Sequence, residues 1–389
     1  MAVNYRETPA GQLQAIDGIR LFVGPAGIKK PQHDDLTLML LSDGSTVGAV
    51  FTQNRFCAAP VRICKQHLFD ADGVRALVIN TGNANAGTGE EGHNRAMAVC
   101  EAAAEQAGCA LTQVLPFSTG VILEPLPADK IIAALPKLRP AGWADAARAI
   151  MTTDTRPKTA VLSGDGWSIG AMAKGAGMLA PALATMLVVI TTDAVLDAEQ
   201  ARTALRAATE VSFNRLDSDG CQSTNDTVLL LSSGASGVSL DTREFAAALT
   251  TVCLDLGAQL LGDAEGSGHD IEILVRGAAS EADALEVGRA VARSNLFKCA
   301  VFGNDPNWGR VLSTVGTTSA AFEPDELDVS FNGVMVCRGG AIGEDRSLVD
   351  LRPRRVEVVI DLHAGGEQAL VWTNDLTYGY VKENAEYSS

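Results

Sequence analysis

The sequence predicts a mixed α/β protein in which short buried strands alternate with alanine-rich helices. Strand-like runs of β-branched and aliphatic residues occupy 48–52, 75–80, 186–192, 227–232 and 356–361. Good helix formers dominate residues 94–106, 128–135 and 198–211. These segments interleave along the whole chain without a Ser/Gly linker, a low-complexity tract or an internal repeat, which favours mixed α/β layers over separate all-α and all-β parts.

Two turn signals refine these elements. Pro136 follows the second helix and ends it early, because proline lacks the N–H that a continuing helix needs. The Gly-Asp-Gly sequence at 164–166 predicts a hairpin turn just before the segment that carries the chemistry.

Composition describes an ordinary globular chain. Of 389 residues, 47% are hydrophobic and 20% are charged, which is enough apolar material for one large core or two moderate ones. The formal net charge of −16 disfavours nucleic acid and anionic membranes as partners, since both would be repelled.

The eight cysteines contain no CxxC pair, which predicts buried, reduced thiols in a cytoplasmic protein. The N-terminus has no apolar signal-peptide core. The densest apolar run, 186–192, falls far short of the ~18–20 uncharged residues of a membrane span. We therefore expect neither secretion nor membrane insertion.

Several motifs fail on closer inspection. Gly175, Gly177 and Ala180 fit a dinucleotide-binding GxGxxA pattern, but the space before the next strand is too short for a crossover helix. Residues 217–220 begin like a calcium loop but lack its glutamate, and the five histidines have no zinc spacing. His269 and Asp270 are expected in a solvent-facing turn, and Cys221 is expected to be a small buried thiol. No metal site is predicted.

The junction between Ala184 and Thr185 offers different chemistry. It lies at the mouth of the strand at 186–192, after a glycine-containing loop. If the peptide bond were cut there, the threonine hydroxyl would lie beside a free α-amine, whose pKa of roughly 7.7–8.0 suits a general base. This is nucleophilic catalysis by an N-terminal threonine. The Ala-Thr pair alone does not indicate this chemistry, however, because most such pairs simply begin a strand.

The surrounding residues resemble a known self-cleavage motif. Residues 174–187 match every fixed position of K-G-[SA]-G-M-x-x-P-x-x-A-T-M-L, the pattern of the ornithine acetyltransferases of arginine biosynthesis. Further matches to that family lie at 50–54, 58–61, 80–86, 118–121, 150–154, 223–227, 303–310 and 384–389. The pair at 221–222 departs from the usual family sequence, which we interpret as variation within the family.

The resemblance implies a layered α/β sandwich of the self-processing aminopeptidase and ornithine acetyltransferase type, with a smaller C-terminal part. It implies self-cleavage between Ala184 and Thr185 into an α chain (1–184) and a β chain (185–389). Thr185 would be the nucleophile, and Thr119 and Gly120 would form the oxyanion hole. An α2β2 heterotetramer is expected.

Substrate contacts are carried over from the family by position, namely Thr152, Lys174, Thr185, Glu265, Asn384 and Ser389. The contact assigned to Thr152 could instead belong to the adjacent Thr153. Lys174 is suited to an α-carboxylate, and Glu265 to the distal ammonium of ornithine. Residues 375–381 alternate polar and apolar types, which predicts a docked strand that delivers Asn384 and Ser389.

The implied reaction moves acetyl from N-acetylornithine to glutamate through acetyl-Thr185 in a ping-pong mechanism. It needs no metal or redox cofactor, and acetyl-CoA remains open as a second donor. Two alternatives are a self-processing N-terminal-nucleophile amidohydrolase or aminopeptidase, and an unprocessed binding protein without catalysis.

Overall fold

The computed structural model describes residues 13–29, 32–71, 73–180 and 186–386. The predicted cut at Ala184 and Thr185, and Ser389, lie outside the described residues. The chain divides into two compact units. The first contains residues 1–176, 182–214 and 222–260, and the second contains 177–181, 215–221 and 261–389. The division into residues 1–184 and 185–389 concerns cleavage products and stays a prediction.

The strands, in chain order, are β1 (Ile19–Gly24), β2 (Leu36–Leu41), β3 (Thr46–Phe51), β4 (Ala76–Asn83), β5 (Val114–Val121), β6 (Arg139–Ala141), β7 (Lys158–Ser163), β8 (Ser168–Lys174), β9 (Leu187–Thr192), β10 (Thr227–Ser232), β11 (Asp270–Ala278), β12 (Asp328–Phe331), β13 (Val334–Arg338), β14 (Ala341–Ile342), β15 (Arg355–Asp361) and β16 (Glu367–Asn374). The α-helices are α1 (Ala59–Asp70), α2 (Gly89–Ala107), α3 (Ala128–Ala134), α4 (Trp143–Ala149), α5 (Ala198–Glu210), α6 (Thr242–Gly262), α7 (Glu281–Ala292), α8 (Asn295–Phe302), α9 (Trp308–Val315) and α10 (Tyr378–Ala385).

The first unit is built on two five-stranded sheets, with strand orders β5-β4-β2-β1-β6 and β3-β10-β9-β8-β7. Apolar side chains from both sheets form one core, including Leu77 and Phe117 from one and Met172, Val189 and Leu229 from the other. Helices α1, α2 and α3 bury their apolar faces on the outer side of the first sheet. Helix α5 packs on β3 and β10. The layered α/β sandwich is therefore confirmed.

The second unit is smaller and has one mixed six-stranded sheet, in the order β14-β13-β12-β15-β11-β16. Its core joins Ile271 and Ile273 of β11 to Val287 of α7, Phe297 of α8 and Phe331 of β12. Strand β11 is paired along both of its edges, in parallel with β15 and antiparallel with β16.

Helix α6 is the long apolar element that sequence inspection overlooked. Among the described residues it alone has the length and composition of a membrane span, with a mean hydropathy of 1.5. However, 61% of that stretch is buried within the molecule, where Phe245, Leu249 and Leu256 are fully enclosed. Burial of a core helix accounts for such a composition, so the helix is weak evidence for a membrane span.

Apart from the strand predicted at 375–381, the predicted strands and helices are confirmed in type, with ends that shift by a few residues. The predicted hairpin turn at 164–166 joins β7 and β8. The prediction for the cysteines is only partly correct. Cys64, Cys100, Cys253 and Cys337 are buried, but Cys221 and Cys299 are exposed. Cys221 lies in an irregular loop rather than in a core element, so the prediction of a buried thiol there is wrong.

Candidate active site

The parallel strands β4 and β5 place the predicted oxyanion-hole pair. Thr119 lies opposite Thr81, and Gly120 lies opposite Gly82. Gly120 has a φ of 136°, and a Cβ added there would lie 2.3 Å from the carbonyl carbon of Gly82. Only glycine fits this close approach. Thr119 is 3% exposed and lies two residues before β5 ends at Val121.

A hydrogen-bond network fixes this strand end. The Ser118 hydroxyl lies 2.6 Å from Oδ1 of Asn80, to which it donates. The Asn225 amide donates to the carbonyl oxygens of Ser118 at 2.8 Å and Ala84 at 2.6 Å. Asn225 belongs to the family-like segment at 223–227, so the structure brings that segment to the oxyanion-hole strand.

Lys174 is the last residue of β8 and is 1% exposed. Its ammonium donates a hydrogen bond of 3.2 Å to the hydroxyl oxygen of Thr119, which is its single hydrogen bond within the described ranges. Burial lowers the pKa of Lys174, and the nearby charge of Asp154 opposes that effect. Without its motif, this lysine would have been interpreted as a solvated surface charge, and its burial excludes that interpretation.

Asp154 connects Lys174 to the predicted substrate contact Thr152. Its Oδ1 accepts hydrogen bonds of 2.6 Å from the Lys158 ammonium and 2.6 Å from the Gly175 N–H. Its Oδ2 accepts one of 2.9 Å from the N–H of Thr152. Burial alone would raise the pKa of Asp154, but the charges of Lys158 and Lys174 and the hydrogen bonds lower it to about 2. Asp154 is therefore ionised at neutral pH.

The adjacent threonines at 152 and 153 differ in their surroundings. Thr152 is half-buried, and its carbonyl oxygen accepts a hydrogen bond of 3.3 Å from the Lys29 ammonium. Thr153 is exposed. The choice between these two threonines as a substrate contact stays a prediction.

Met186 is the first described residue after the predicted cut. Its N–H donates a hydrogen bond of 3.2 Å to Oδ1 of Asp226, whose side chain is fully buried. Burial raises the pKa of Asp226 well above its ordinary value. A carboxyl that tends to keep its proton thus lies one residue from the predicted new N-terminus.

In the second unit, the structure brings together Glu265 and Asn384. The Asn384 amide donates a hydrogen bond of 3.1 Å to Oε2 of Glu265. The carboxylate also lies against Gly177, where an added Cβ would be 2.6 Å from both of its oxygens. Glu265 lines a polar cavity of about 90 Å³ together with Lys298 and Tyr380. The third predicted contact of this region, Ser389, lies outside the described residues.

The predicted C-terminal strand at 375–381 is wrong, because helix α10 begins at Tyr378. Thr377 caps this helix, since its hydroxyl oxygen accepts a hydrogen bond of 3.0 Å from the N–H of Tyr380. The same hydroxyl donates to the carbonyl oxygen of Gly266 at 2.5 Å. The cap signal overrides a short polar and apolar alternation that fits a strand equally well.

His269 and Asp270 do not form a solvent-facing turn. The His269 ring is largely buried, with Nδ1 2.6 Å from Oδ2 of Asp375 and Nε2 2.9 Å from the carbonyl oxygen of Leu351. Asp270 is the first residue of β11. The ring joins the start of β11 to the segment before α10, which is a structural role.

Sequence reasoning assigned no role to Asp154, Lys158, Asp219 or Asp226. The i, i+4 spacing of Asp154 and Lys158 was a usable signal for an ion pair. Asp219 was considered only as a calcium ligand. In the structure its Oδ2 accepts a hydrogen bond of 2.6 Å from the N–H of Met178 instead.

Comparison with known proteins identifies the family. The model of the ArgJ family matches residues 20–389. The chain belongs to the ArgJ family. The arginine biosynthesis bifunctional protein ArgJ of Streptomyces coelicolor is 55% identical, over 94% of this chain and 96% of that protein. The protein of the same name from Neisseria meningitidis serogroup A is 48% identical over the full length of both chains.

A solved ornithine acetyltransferase from Mycobacterium tuberculosis, complexed with ornithine, is also similar. It is 36% identical and covers 45% of this chain and 96% of its own, with a TM-score of 0.40. Membership of the ArgJ family makes acetyl transfer in arginine biosynthesis the activity of this chain. The amidohydrolase alternative is not favoured.

Proposed function

We propose that this ArgJ-family chain transfers acetyl from N-acetylornithine to glutamate through an acetyl ester on Thr185. The observation that carries the proposal is the hydroxyl of Thr119 beside Gly120, with a buried ammonium 3.2 Å from its oxygen. Hydrogen-bond donors backed by a positive charge favour a reaction in which negative charge develops on a carbonyl oxygen.

The first half-reaction begins when the Thr185 hydroxyl oxygen attacks the acetyl carbonyl carbon. The free α-amine of Thr185 takes the hydroxyl proton, and the carbonyl oxygen becomes an oxyanion held by the Thr119 hydroxyl and the Gly120 N–H. The carbon–nitrogen bond then breaks, and the leaving amine of ornithine receives the proton. In the second half-reaction, the amine of glutamate attacks the ester carbonyl carbon and the bond from that carbon to the Thr185 oxygen breaks. The proton of the attacking amine returns to the Thr185 oxygen, and N-acetylglutamate leaves.

Self-cleavage passes through the same kind of tetrahedral oxyanion, but the nitrogen of Thr185 is then still an amide and cannot act as the base. The Thr185 hydroxyl oxygen attacks the carbonyl carbon of Ala184, and the peptide carbon–nitrogen bond breaks as the hydroxyl proton passes to the released α-amine. Water then hydrolyses the resulting ester to give chains 1–184 and 185–389. Because each step passes through a tetrahedral oxyanion, Thr119 and Gly120 can serve both. We propose that the chains remain together as an α2β2 heterotetramer in the cytoplasm.

The proposed substrate contacts divide by chemistry. Lys174 would pair with an α-carboxylate, and Glu265 with the distal ammonium of ornithine. Thr152, Asn384 and Ser389 would supply neutral hydrogen bonds. None of these steps calls for a metal or a redox cofactor, and acetyl-CoA is a candidate second donor to the same threonine.

Two measurements test the proposal. Purified protein on a denaturing gel should run as two bands that share the 40.6 kDa of the full chain, whereas a single full-length band contradicts self-cleavage. The processed protein is then given N-acetylornithine with and without glutamate. We expect N-acetylglutamate in the first case and little ornithine release beyond one turnover in the second. Continued release without glutamate would indicate a hydrolase.

A further inference from the structure

The hydrogen bond from Lys174 to Thr119 settles which way the threonine hydroxyl can donate. A hydroxyl has one proton and two acceptor lone pairs. In this structure the oxygen accepts from the Lys174 ammonium at 3.2 Å. An ammonium has no lone pair, so the Thr119 proton cannot point back toward the lysine. It remains available to a partner on another side of the oxygen.

We infer that Lys174 and Asp154 are positioning residues of the oxyanion hole, with Lys174 orienting the Thr119 hydroxyl and Asp154 holding Lys174 in place. The inference rests on the proposed function of Thr119. It adds a transition-state role to Lys174, for which the family resemblance predicts contact with the substrate, and it assigns a role to Asp154.

The contacts of Asp154 explain how the lysine is held. Its carboxylate accepts a hydrogen bond of 2.6 Å from the N–H of Gly175, which fixes the backbone directly after Lys174. It also accepts a hydrogen bond of 2.6 Å from the Lys158 ammonium, in an ion pair whose two side chains are fully buried. Breaking such a pair leaves an uncompensated buried charge, so the ion pair favours this arrangement energetically.

Burial and the charges around Lys174 set the pH at which it loses its proton. Burial lowers the pKa of Lys174, and Lys158 and Lys29 lower it further, whereas Asp154 and Asp226 raise it. Burial keeps Asp226 inclined to hold its proton, so Asp154 is the carboxylate that is reliably ionised. The oxyanion hole should therefore lose its ammonium support as the pH rises.

This role differs kinetically from simple carboxylate binding. Substrate binding that is equal in the ground and transition states changes KM, whereas support of an oxyanion changes kcat. Self-cleavage separates the two more cleanly, since that reaction involves no substrate carboxylate. A slower cut in a Lys174 variant therefore does not come from lost binding of a substrate carboxylate.

A double-mutant cycle on the self-cleavage rate tests the inference. Precursors with Thr119→Val, Lys174→Met or both are made by cell-free translation, and the cut is followed on denaturing gels. Thr119→Val should slow the cut by about 10²–10³-fold. If Lys174 acts through that hydroxyl, Lys174→Met should slow it by at least ~10-fold alone, yet add little to Thr119→Val. Independent effects, which multiply in the double variant, would overturn the inference.

The pH dependence of the self-cleavage rate gives a second test, which can be used even if Lys174→Met does not fold. In the wild type, the rate of the cut should fall with rising pH at a pH below the ordinary lysine range, as Lys174 loses its proton. Asp154→Asn should move this fall to lower pH by about one unit or more. Lys174→Arg should abolish the fall, because arginine stays charged. An unchanged fall in both variants would contradict the inference.

Asp193→Asn is the matched control for Asp154→Asn. Asp193 accepts a hydrogen bond of 2.7 Å from the N–H of Ser168, at the opposite end of the same strand β8. It should affect stability without moving the pH dependence. Failure of the proposed function would look different, because Thr119→Val would then cut at the normal rate. A slow Thr119→Val precursor with multiplicative effects would remove only the inference about Lys174 and Asp154.

Discussion

The carboxylate of Asp219 holds Met178 in a left-handed backbone conformation. Met178 has a φ of 55°, and its N–H donates a hydrogen bond of 2.6 Å to Oδ2 of Asp219. The carbonyl oxygen of the next residue, Leu179, accepts a hydrogen bond of 2.6 Å from the N–H of Ser218. A left-handed conformation costs a side-chain-bearing residue roughly 1–2 kcal/mol, so these bonds stabilise it in the segment that leads to the predicted cut.

Asp219→Ala should therefore slow self-cleavage, by about ten-fold if the segment relaxes to an ordinary conformation. Met178→Gly in the same background should restore part of the rate, because glycine adopts positive φ without strain. The rate is measured on precursor made by cell-free translation. Asp345→Ala, which removes a comparable carboxylate bond to the N–H of Ser347, should cut normally. A normal rate of self-cleavage in Asp219→Ala would show that the hydrogen bond from Met178 to Asp219 does not assist the cut.

Thr119→Ala should lower kcat by about 10²–10³-fold with little change in KM, because the hydroxyl acts on the oxyanion rather than on bound substrate. Steady-state kinetics with N-acetylornithine and glutamate measure both constants. Thr81→Ser on the neighbouring strand, opposite Thr119, is the control and should retain turnover. A change confined to KM would place Thr119 in substrate binding instead.

Deleting residues 386–389 should leave folding and the cut intact but cost at least about ten-fold in kcat/KM, or 1.4 kcal/mol. Helix α10 ends at Ala385, so the deletion keeps every helical residue and the contact of Asn384 with Glu265, although it removes the Glu386 N–H that caps the helix. Asn384→Ala should impair turnover in the full-length chain, with Lys382→Ala on the same helix as the exposed control. Full activity of the truncated enzyme would remove Ser389 from the proposed site.

The stability of the second unit should depend on the protonation of Asp217. Burial raises the pKa of this carboxyl to about 6. The charge of Arg293, whose Nε lies 2.7 Å from Oδ2 of Asp217, opposes that shift. The folded protein therefore binds this proton more tightly than the unfolded chain does. The resulting stabilisation is present below about pH 4 and is lost as the pH rises through 6, by up to about 3 kcal/mol.

Asp217→Asn should flatten that pH dependence. Urea unfolding at several values between pH 4 and 7, in the uncut Thr185→Ala background, compares single chains of equal length. The difference in unfolding free energy between the aspartate and asparagine forms should change with pH in the stated direction. A constant difference across this range would show that Asp217 is already ionised at pH 4.

The layered fold was predictable because its buried strands are short and strongly apolar. Residues 227–232, for example, give β10 the bounds expected from its β-branched and leucine content. Helix α6 was missed because its apolar residues lack a one-sided pattern, as expected of a helix enclosed on several sides. The C-terminal strand was wrong because a capping threonine decides the start of α10, and short alternation cannot reveal that.

The site was predictable only as far as the family motifs reach. They indicated Thr119, Lys174 and Glu265, but they could not indicate that Lys174 donates to Thr119, since 55 positions separate the two. Nor could they identify Asp154 as the carboxylate between Thr152 and Gly175. Such contacts depend on how the two sheets of the first unit pack, which local patterns do not encode.

The central claim is that Thr185 carries the acetyl group, and intact mass analysis tests it most directly. Processed enzyme is mixed with N-acetylornithine in the absence of glutamate and quenched in acid within the first turnover. We expect one acetyl group on the chain 185–389, none on the chain 1–184, and loss of the added mass when glutamate is supplied. Fragmentation should locate the group on Thr185. A β chain that stays unmodified while ornithine is released, or an acetyl group on another residue, would contradict the account.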